Sequence, residues 1–252
     1  AGSSDNSTNI ALLGFGGPGH EGPYLTDTII ILSIEPDTGK AAMLSVPRDL
    51  YVETKNFGGV KINAVYALAL QKKQDAGELI KQTLGDIFGI PIHYYVMVDF
   101  EGFVRLIDEV GGVDVFVDTS FTDIQFPDKN FQMQTVSFEK GLRHMDGITA
   151  LQFARSRHGN AGEGSDFARA RRQQKILLAM KDKLISSNLI VRPDKIQKIV
   201  EILGDTISTD MELWEAVKLG ELGRTIDQAN ITQKVLDDSP TGELYATTGI
   251  DG

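Results

Sequence analysis

The stretch Thr28–Val46, TIIILSIEPDTGKAAMLSV, holds two apolar runs either side of a turn. Thr28–Ile34 is β-branched and almost without polar alternation, as in a central strand buried on both faces. Pro36, Asp37, Thr38 and Gly39 carry turn chemistry: Pro presets φ, Asp bonds nearby backbone, and Gly tolerates a positive φ. Lys40–Val46 is the return strand, ended by Pro47. In this hairpin register Ile34 faces Ala41 and Asp27 faces Arg48, which sets a carboxylate beside a guanidinium at the open end.

Outward from the hairpin, Ile10–Leu13 reads as a strand closed by Gly14, followed by the Gly/Pro loop GFGGPGHEGPYL. Leu79, Ile80, Thr83, Leu84, Ile87 and Phe88 share a helical face, stopped by Gly89 and Pro91. His93–Val98 is a strand. Phe103, Leu106, Ile107 and Val110 recur at helical spacing, and Val113, Val115 and Val117 alternate as a strand does. Residues 119–135 read as a surface loop. Asp146 caps a helix over Gly147–Phe153, and Asp166 caps a longer one with Ile176, Leu177, Met180 and Leu184 on its apolar face. Helices follow over Pro193–Ile207, with Trp214 in the core from a helix over Glu212–Ile226. Thr232–Leu236 and Leu244–Thr247 return as strands. The expected fold is α/β: a single domain with a mixed central β-sheet flanked by α-helices.

The 252 residues suffice to bury a large core without disulfides or structural metal. The chain has no cysteine, which excludes thiolate zinc, iron–sulfur clusters and cysteine nucleophiles. Its net charge of −10 argues against a duplex-DNA binder. Gly14, Gly16 and Gly19 match the dinucleotide fingerprint, with Glu35 at the ribose-binding distance. The motif fails in context, because prolines 18 and 23 interrupt the loop and a strand follows where a helix is required.

The acidic average hides a basic island. Arg155–Lys175, RSRHGNAGEGSDFARARRQQK, has six Arg or Lys against Glu163 and Asp166, a net of +4, so the other 231 residues carry −14. Arg155 and Arg157 point the same way on an extended segment. Arg169, Arg172 and Gln173 share one face of a helix, and Arg171 points elsewhere. Planar guanidinium groups at this density suit bidentate phosphate binding. Arg48, just after a buried strand, is a second candidate. The four histidines are not spaced as metal ligands.

Six motifs occur in order: SVPRDLYV at Ser45–Val52, KINAVY at Lys61–Tyr66, VGGVDV at Val110–Val115, GLRHMDG at Gly141–Gly147, ALQFARSR at Ala150–Arg157 and DFARARRQQ at Asp166–Gln174. Together they resemble the catalytic domain of the LytR-CpsA-Psr family of bacterial cell-wall ligases. The resemblance implies a phosphotransferase that moves a glycopolymer, such as teichoic acid or capsular polysaccharide, from a polyprenyl-pyrophosphate carrier to a peptidoglycan sugar hydroxyl. Polyprenyl phosphate is released, and pyrophosphatase activity is an expected side reaction. The alternative is a non-catalytic module that binds polyprenyl pyrophosphate or a wall polymer. A transcriptional regulator is disfavoured by the acidic bulk and the lack of a helix-turn-helix pattern.

By match to these motifs, Arg48, Arg155, Arg157, Arg169 and Gln173 contact the pyrophosphate, with Lys61 and Arg172 as further binding residues. Asp27, Arg48, Arg155 and Arg157 form the catalytic set. Asp27, in LTDT, holds Mg²⁺ or Mn²⁺, and Asp27 and Asp49 are candidate proton acceptors. An apolar groove for the lipid is expected, with residues of the Ala64–Phe88 helices and the Phe100–Val110 helix as candidates. The family also implies a single-pass membrane anchor upstream and an extracytoplasmic domain at Ile10–Leu236. Residues 1–9 then read as a truncation scar or stalk, and 237–252 as a C-terminal segment.

The chain departs from the family in its first loop. The family carries an acid soon after the first strand and arginines before the matched Asp. Here Gly14–Gly19, His20, Glu21, Leu25 and Thr26 occupy that stretch. The departure implies weaker or rearranged Mg²⁺ binding, with glycine N–H groups, His20 or Glu21 as substitutes.

Overall fold

A computed structural model of the chain describes residues 6–128, 131–189, 192–238 and 242–245. Strand β1 (Thr8–Phe15) leads through the glycine-rich loop into β2 (Thr26–Glu35), and the turn returns as β3 (Lys40–Ser45). A hairpin of β4 (Tyr51–Thr54) and β5 (Gly58–Lys61) precedes α1 (Val65–Gln71) and α2 (Ala76–Phe88). Next come β6 (Tyr94–Asp99), α3 (Phe100–Glu109), β7 (Val113–Val117), β8 (Phe121–Pro127), β9 (Met133–Phe138) and β10 (Gly141–Met145). Helices α4 (Gly147–Arg155), α5 (Asp166–Ser186) and α6 (Pro193–Leu203), strand β11 (Ile207–Thr209), helix α7 (Leu213–Thr225) and strand β12 (Ile231–Val235) complete the order.

The central sheet runs β11–β6–β1–β2–β3–β12. β6 and β1 are parallel, as are β3 and β12, and the other neighbours are antiparallel. Ile34 lies opposite Ala41, the register read from the turn. The apolar run of β2 is explained by burial on both sides, with Ile29, Ile30 and Ile31 all at most 2% exposed. Ile29 and Ile31 pack with Ala11 and Leu13 against Val65, Ala69, Ile80 and Leu84 of α1 and α2. Ile30 points the other way, with Leu12 and Met43, toward Leu177 and Leu178 of α5. A second core joins Val113, Val115, Phe121, Phe138, Phe153 and Ile176.

Several expectations are corrected. Residues 119–135 are not a plain loop. β8 and β9 form a hairpin whose alternation is broken by a register shift between Asp123 and Phe126, which hides its inward set of Phe121, Phe126, Val136 and Phe138. β1 begins at Thr8, and Asn9 is buried, donating from its Nδ2 to Pro91 O (2.8 Å) and from its backbone N–H to His93 Nδ1 (3.0 Å). The cap of α5 is Ser165, whose Oγ accepts from Ala168 N–H at 3.0 Å, and Asp166 is the first helical residue. Gly204 ends α6 with a positive φ of 48°, releasing Ile207 to the sheet edge. Trp214 is 55% exposed, because α7 packs on the sheet through Leu219 and Leu222 instead. Leu244 and Tyr245 are not in a strand, and residues 246–247 lie outside the described residues.

Candidate active site

The β2–β3 hairpin places the first half of the site. Asp27 is the second residue of β2, and Arg48 follows just past β3. Arg48 Nη1 donates to Asp27 Oδ1 at 2.5 Å, and its Nε donates to Asp49 Oδ2 at 3.3 Å. Burial alone lowers the Arg48 guanidinium, but the Asp27 and Asp49 carboxylates outweigh it and hold the group above its ordinary value. Lys61 donates to Asp49 Oδ1 at 3.0 Å and does not line the cavity described below, so it reaches the cluster only through Asp49.

The arginine-rich segment supplies the second half. Arg155 ends α4, with its guanidinium 4.0 Å from the Phe100 ring centre and 5.5 Å from that of Phe126. Among the described residues none of its N–H groups meets a carboxylate, and no buried side-chain polar atom is left unpaired, so these groups open into the cavity. Arg157 grips Asp166 with Nε (3.1 Å) and Nη2 (3.3 Å), and Arg169 Nη1 shares the same carboxylate at 3.0 Å. Burial pulls Arg169 down to about 10, partly offset by Asp166, so it stays charged at neutral pH. Gln173, four residues on, lies on the same helix face.

These groups enclose a cavity of ≈ 250 Å³ walled by Asp27, Arg48, Arg155, Arg157, Arg169 and Gln173. It adjoins an apolar cavity of ≈ 290 Å³ between the sheet and helices α3, α4 and α5, lined by Leu12, Ile30, Phe103, Leu151, Leu177 and Met180 among others. Thr28, Phe100, Arg155 and Gln173 belong to both walls. Of the helices named as groove candidates, the Phe100–Val110 helix lines this cavity. Helices α1 and α2 pack on the opposite face of the sheet.

Arg172 does not join the cluster. It is 3% exposed, and its Nε donates to Phe153 O (2.8 Å) and its Nη1 to Glu163 Oε2 (2.6 Å), with a further bond to Ser156 O. Of the two residues three and four beyond Arg169, only the fourth faces the cavity. Sequence reading also missed Phe100, Phe126 and Asp123. Asp123 is 1% exposed and accepts from Ser156 Oγ (2.6 Å), Gln125 N–H (2.9 Å), His158 N–H (3.1 Å) and Arg157 N–H (3.2 Å), fixing the chain that carries Arg157. The signal for Phe100 was Asp99, a helix cap four residues ahead of Phe103, the first residue of the periodic set.

The resemblance implies Mg²⁺ or Mn²⁺ on Asp27, and the donor set does not fit one. Among the described residues no three His, Asp or Glu side chains gather as a metal-binding group. Asp27 brings one carboxylate, already engaged by Arg48. The first residue after β1 is Gly16, and His20 packs over it. Burial and nearby Arg155 lower the His20 imidazole, and its ring meets Phe100 edge-on with centres 5.2 Å apart.

The sequence matches the LytR_cpsA_psr family over residues 1–248. It is 32% identical over 228 residues to the polyisoprenyl-teichoic acid–peptidoglycan teichoic acid transferase TagV of Bacillus subtilis, covering 87% of this chain and 55% of that protein. It is 34% identical over 188 residues to the transferase TagU of Oceanobacillus iheyensis, covering 75% of this chain and 54% of that protein. The chain thus spans about half the length of these curated relatives. The crystal structure of B. subtilis TagV matches the fold with a TM-score of 0.71 at 28% identity, over 93% of this chain and 86% of that one. With the motifs, the mixed sheet and the arginine-walled cavity in agreement, the chain belongs to the LytR_cpsA_psr family.

Proposed function

We propose that this chain transfers a glycopolymer from a polyprenyl-pyrophosphate carrier to a peptidoglycan sugar hydroxyl. The observation that carries this reading is the shared wall between a guanidinium-lined cavity and an apolar one. A lipid with a phosphate head and a hydrocarbon tail occupies both at once. The names of the TagV and TagU relatives supply the donor and acceptor classes, teichoic acid and peptidoglycan.

In the proposed reaction the acceptor hydroxyl oxygen attacks the glycan-side phosphorus. The bond from that phosphorus to the bridging oxygen breaks, and its electron pair leaves with polyprenyl phosphate. A phosphodiester joins glycan and acceptor. Such transfer needs positioning and neutralisation of spreading negative charge more than covalent help. Arg48, Arg155, Arg157 and Arg169 supply that charge as fixed donors. The hydroxyl proton goes to Asp27, the carboxylate of the cavity wall whose Oδ2 has no hydrogen-bond or ion-pair partner among the described residues. Asp49 has both oxygens on cations, and four donors occupy Asp123. Water in place of the acceptor gives hydrolysis of the same bond.

The carrier is a membrane lipid, so the proposal places the domain at the outer face of a bacterial membrane, held there by an anchor of the whole protein. Among the described residues no helix is long and apolar enough to cross a membrane. The test is transfer from a polyprenyl-pyrophosphate-linked glycan to peptidoglycan oligomers, with the phosphodiester product read by mass spectrometry. Product from the wild type and none from Arg155→Ala supports the reading. Tight binding of the donor with no product replaces it with the binding module.

A further inference from the structure

We infer that this chain neutralises its pyrophosphate ligand with guanidinium groups alone and binds it without a divalent cation. The inference rests on the function just proposed and concerns how the same site meets its ligand's charge.

A Mg²⁺ ion that bridges protein to phosphate uses one or two carboxylates and keeps near-ideal octahedral geometry. Asp27 offers a carboxylate whose Oδ1 already accepts from Arg48 at 2.5 Å. A dication there sits against a fixed guanidinium or displaces it, and the displaced Arg48 keeps only Asp49 as a partner.

The first loop removes the second carboxylate and fills its space. A Cβ on Gly16 would stand 2.8 Å from His20 Cβ and 3.1 Å from its Cγ, so no acidic side chain fits there while His20 stays in place. The His20 ring rests on the edge of Phe100, and Arg155 lies 4.0 Å from the centre of that same ring. The loop therefore ends in a stack that supports a cation. The other acid near the loop is Asp99, 5% exposed, whose Oδ1 caps α3 by accepting from Gly102 N–H at 2.7 Å. A Cβ on Gly17 would stand 2.9 Å from Asp99 Oδ2. Glu21 is exposed to solvent. Together with Asp27 these acids and His20 do not gather into a group of three among the described residues.

The cation most open to a ligand is Arg155, which has ring partners and, among the described residues, no carboxylate partner. Guanidinium forks pair with phosphate oxygens two at a time, which matches the geometry of two linked phosphates.

The experiment is calorimetric titration of the protein with farnesyl pyrophosphate, once in chelator and once with excess Mg²⁺, beside titration of the protein with Mn²⁺ alone followed by electron paramagnetic resonance. The inference expects dissociation constants within about threefold of each other in the two media, and no Mn²⁺ signal change that Asp27→Asn removes. Tightening beyond that factor by Mg²⁺ overturns it, as does Mn²⁺ held by the wild type and released by Asp27→Asn. Binding seen only with Mg²⁺ overturns the inference and leaves the proposed function standing. No binding in either medium overturns both.

Discussion

Arg48 and Asp27 meet at 2.5 Å across the open end of one β-hairpin, 21 residues apart in sequence. The pair joins the strand register to the chemistry: whatever fixes the hairpin fixes the distance between a cavity carboxylate and a cavity cation. Replacing Arg48 by Ala removes a charged donor from the cavity wall and leaves Asp27 without that partner. We expect transfer to fall by about 10²–10³-fold, the cost typical of a lost charge-stabilising donor. Arg48→Lys restores the charge but not the planar fork, and recovers only part of the rate. Initial rates of product formation measure both.

Arg172 and Gln173 are neighbours with separate duties. Arg172 is buried against backbone carbonyls and Glu163, so Arg172→Ala leaves a half-buried carboxylate and several buried carbonyls without this partner. The expected loss is about 3–5 kcal/mol of stability, read as a lower urea midpoint. Gln173→Ala touches the cavity wall instead. It should keep stability within about 1 kcal/mol while weakening farnesyl pyrophosphate binding.

Asp123 makes the site sensitive to acid. Burial raises its carboxyl, but Ser156 and the N–H groups of Gln125, His158 and Arg157 outweigh burial and hold it below the ordinary value of 3.8. A carboxyl depressed in the folded state adds stability that is fully present above that ordinary value and is lost as pH falls through the folded one. Asp123→Asn should cost about 1.5–3 kcal/mol at neutral pH and flatten the fall in stability below pH 3.8. Urea unfolding of both proteins at neutral and acidic pH tests this. An unchanged acid slope in the variant contradicts it.

The apolar cavity predicts a dependence on lipid length. Each CH₂ buried is worth about 0.8 kcal/mol, so affinity should rise roughly tenfold for every two added until the cavity is full. Met180→Trp reduces the space and should abolish the gain from longer chains while sparing the shortest pyrophosphate. Competition titrations with prenyl pyrophosphates of increasing length show either the plateau or its absence.

The hairpin was legible because Ile29–Leu32, the residues packed against the helix layers on either side, are all apolar, and the turn residues Pro36–Gly39 centre the pairing that the structure shows. Arg155, Arg157, Arg169 and Gln173 were legible as a group because glycine-rich chain and helical spacing bring them together. Arg172 was misassigned because residues three and four beyond Arg169 lie either side of it on the helix, and only tertiary packing decides which one meets the gap. Phe100 and Phe126 escaped because their role is to hold Arg155, a contact between elements far apart in sequence. The β8–β9 hairpin escaped because its register shift interrupts the alternation that marks a strand.

Helix α5 begins with Arg169 and Gln173 on the polar cavity and continues with Ile176, Leu177 and Met180 on the apolar one. The span from Arg169 to Met180 is about 16 Å along the helix axis. A pyrophosphate has two phosphorus atoms of nearly equal reactivity, and attack at the wrong one joins the acceptor to the lipid. In the transfer proposed above, a tail held along α5 would turn the lipid-side phosphorus inward and leave the glycan-side phosphorus toward Arg48. The regiochemistry of the proposed transfer is then set by the direction in which a single helix changes from charged to apolar.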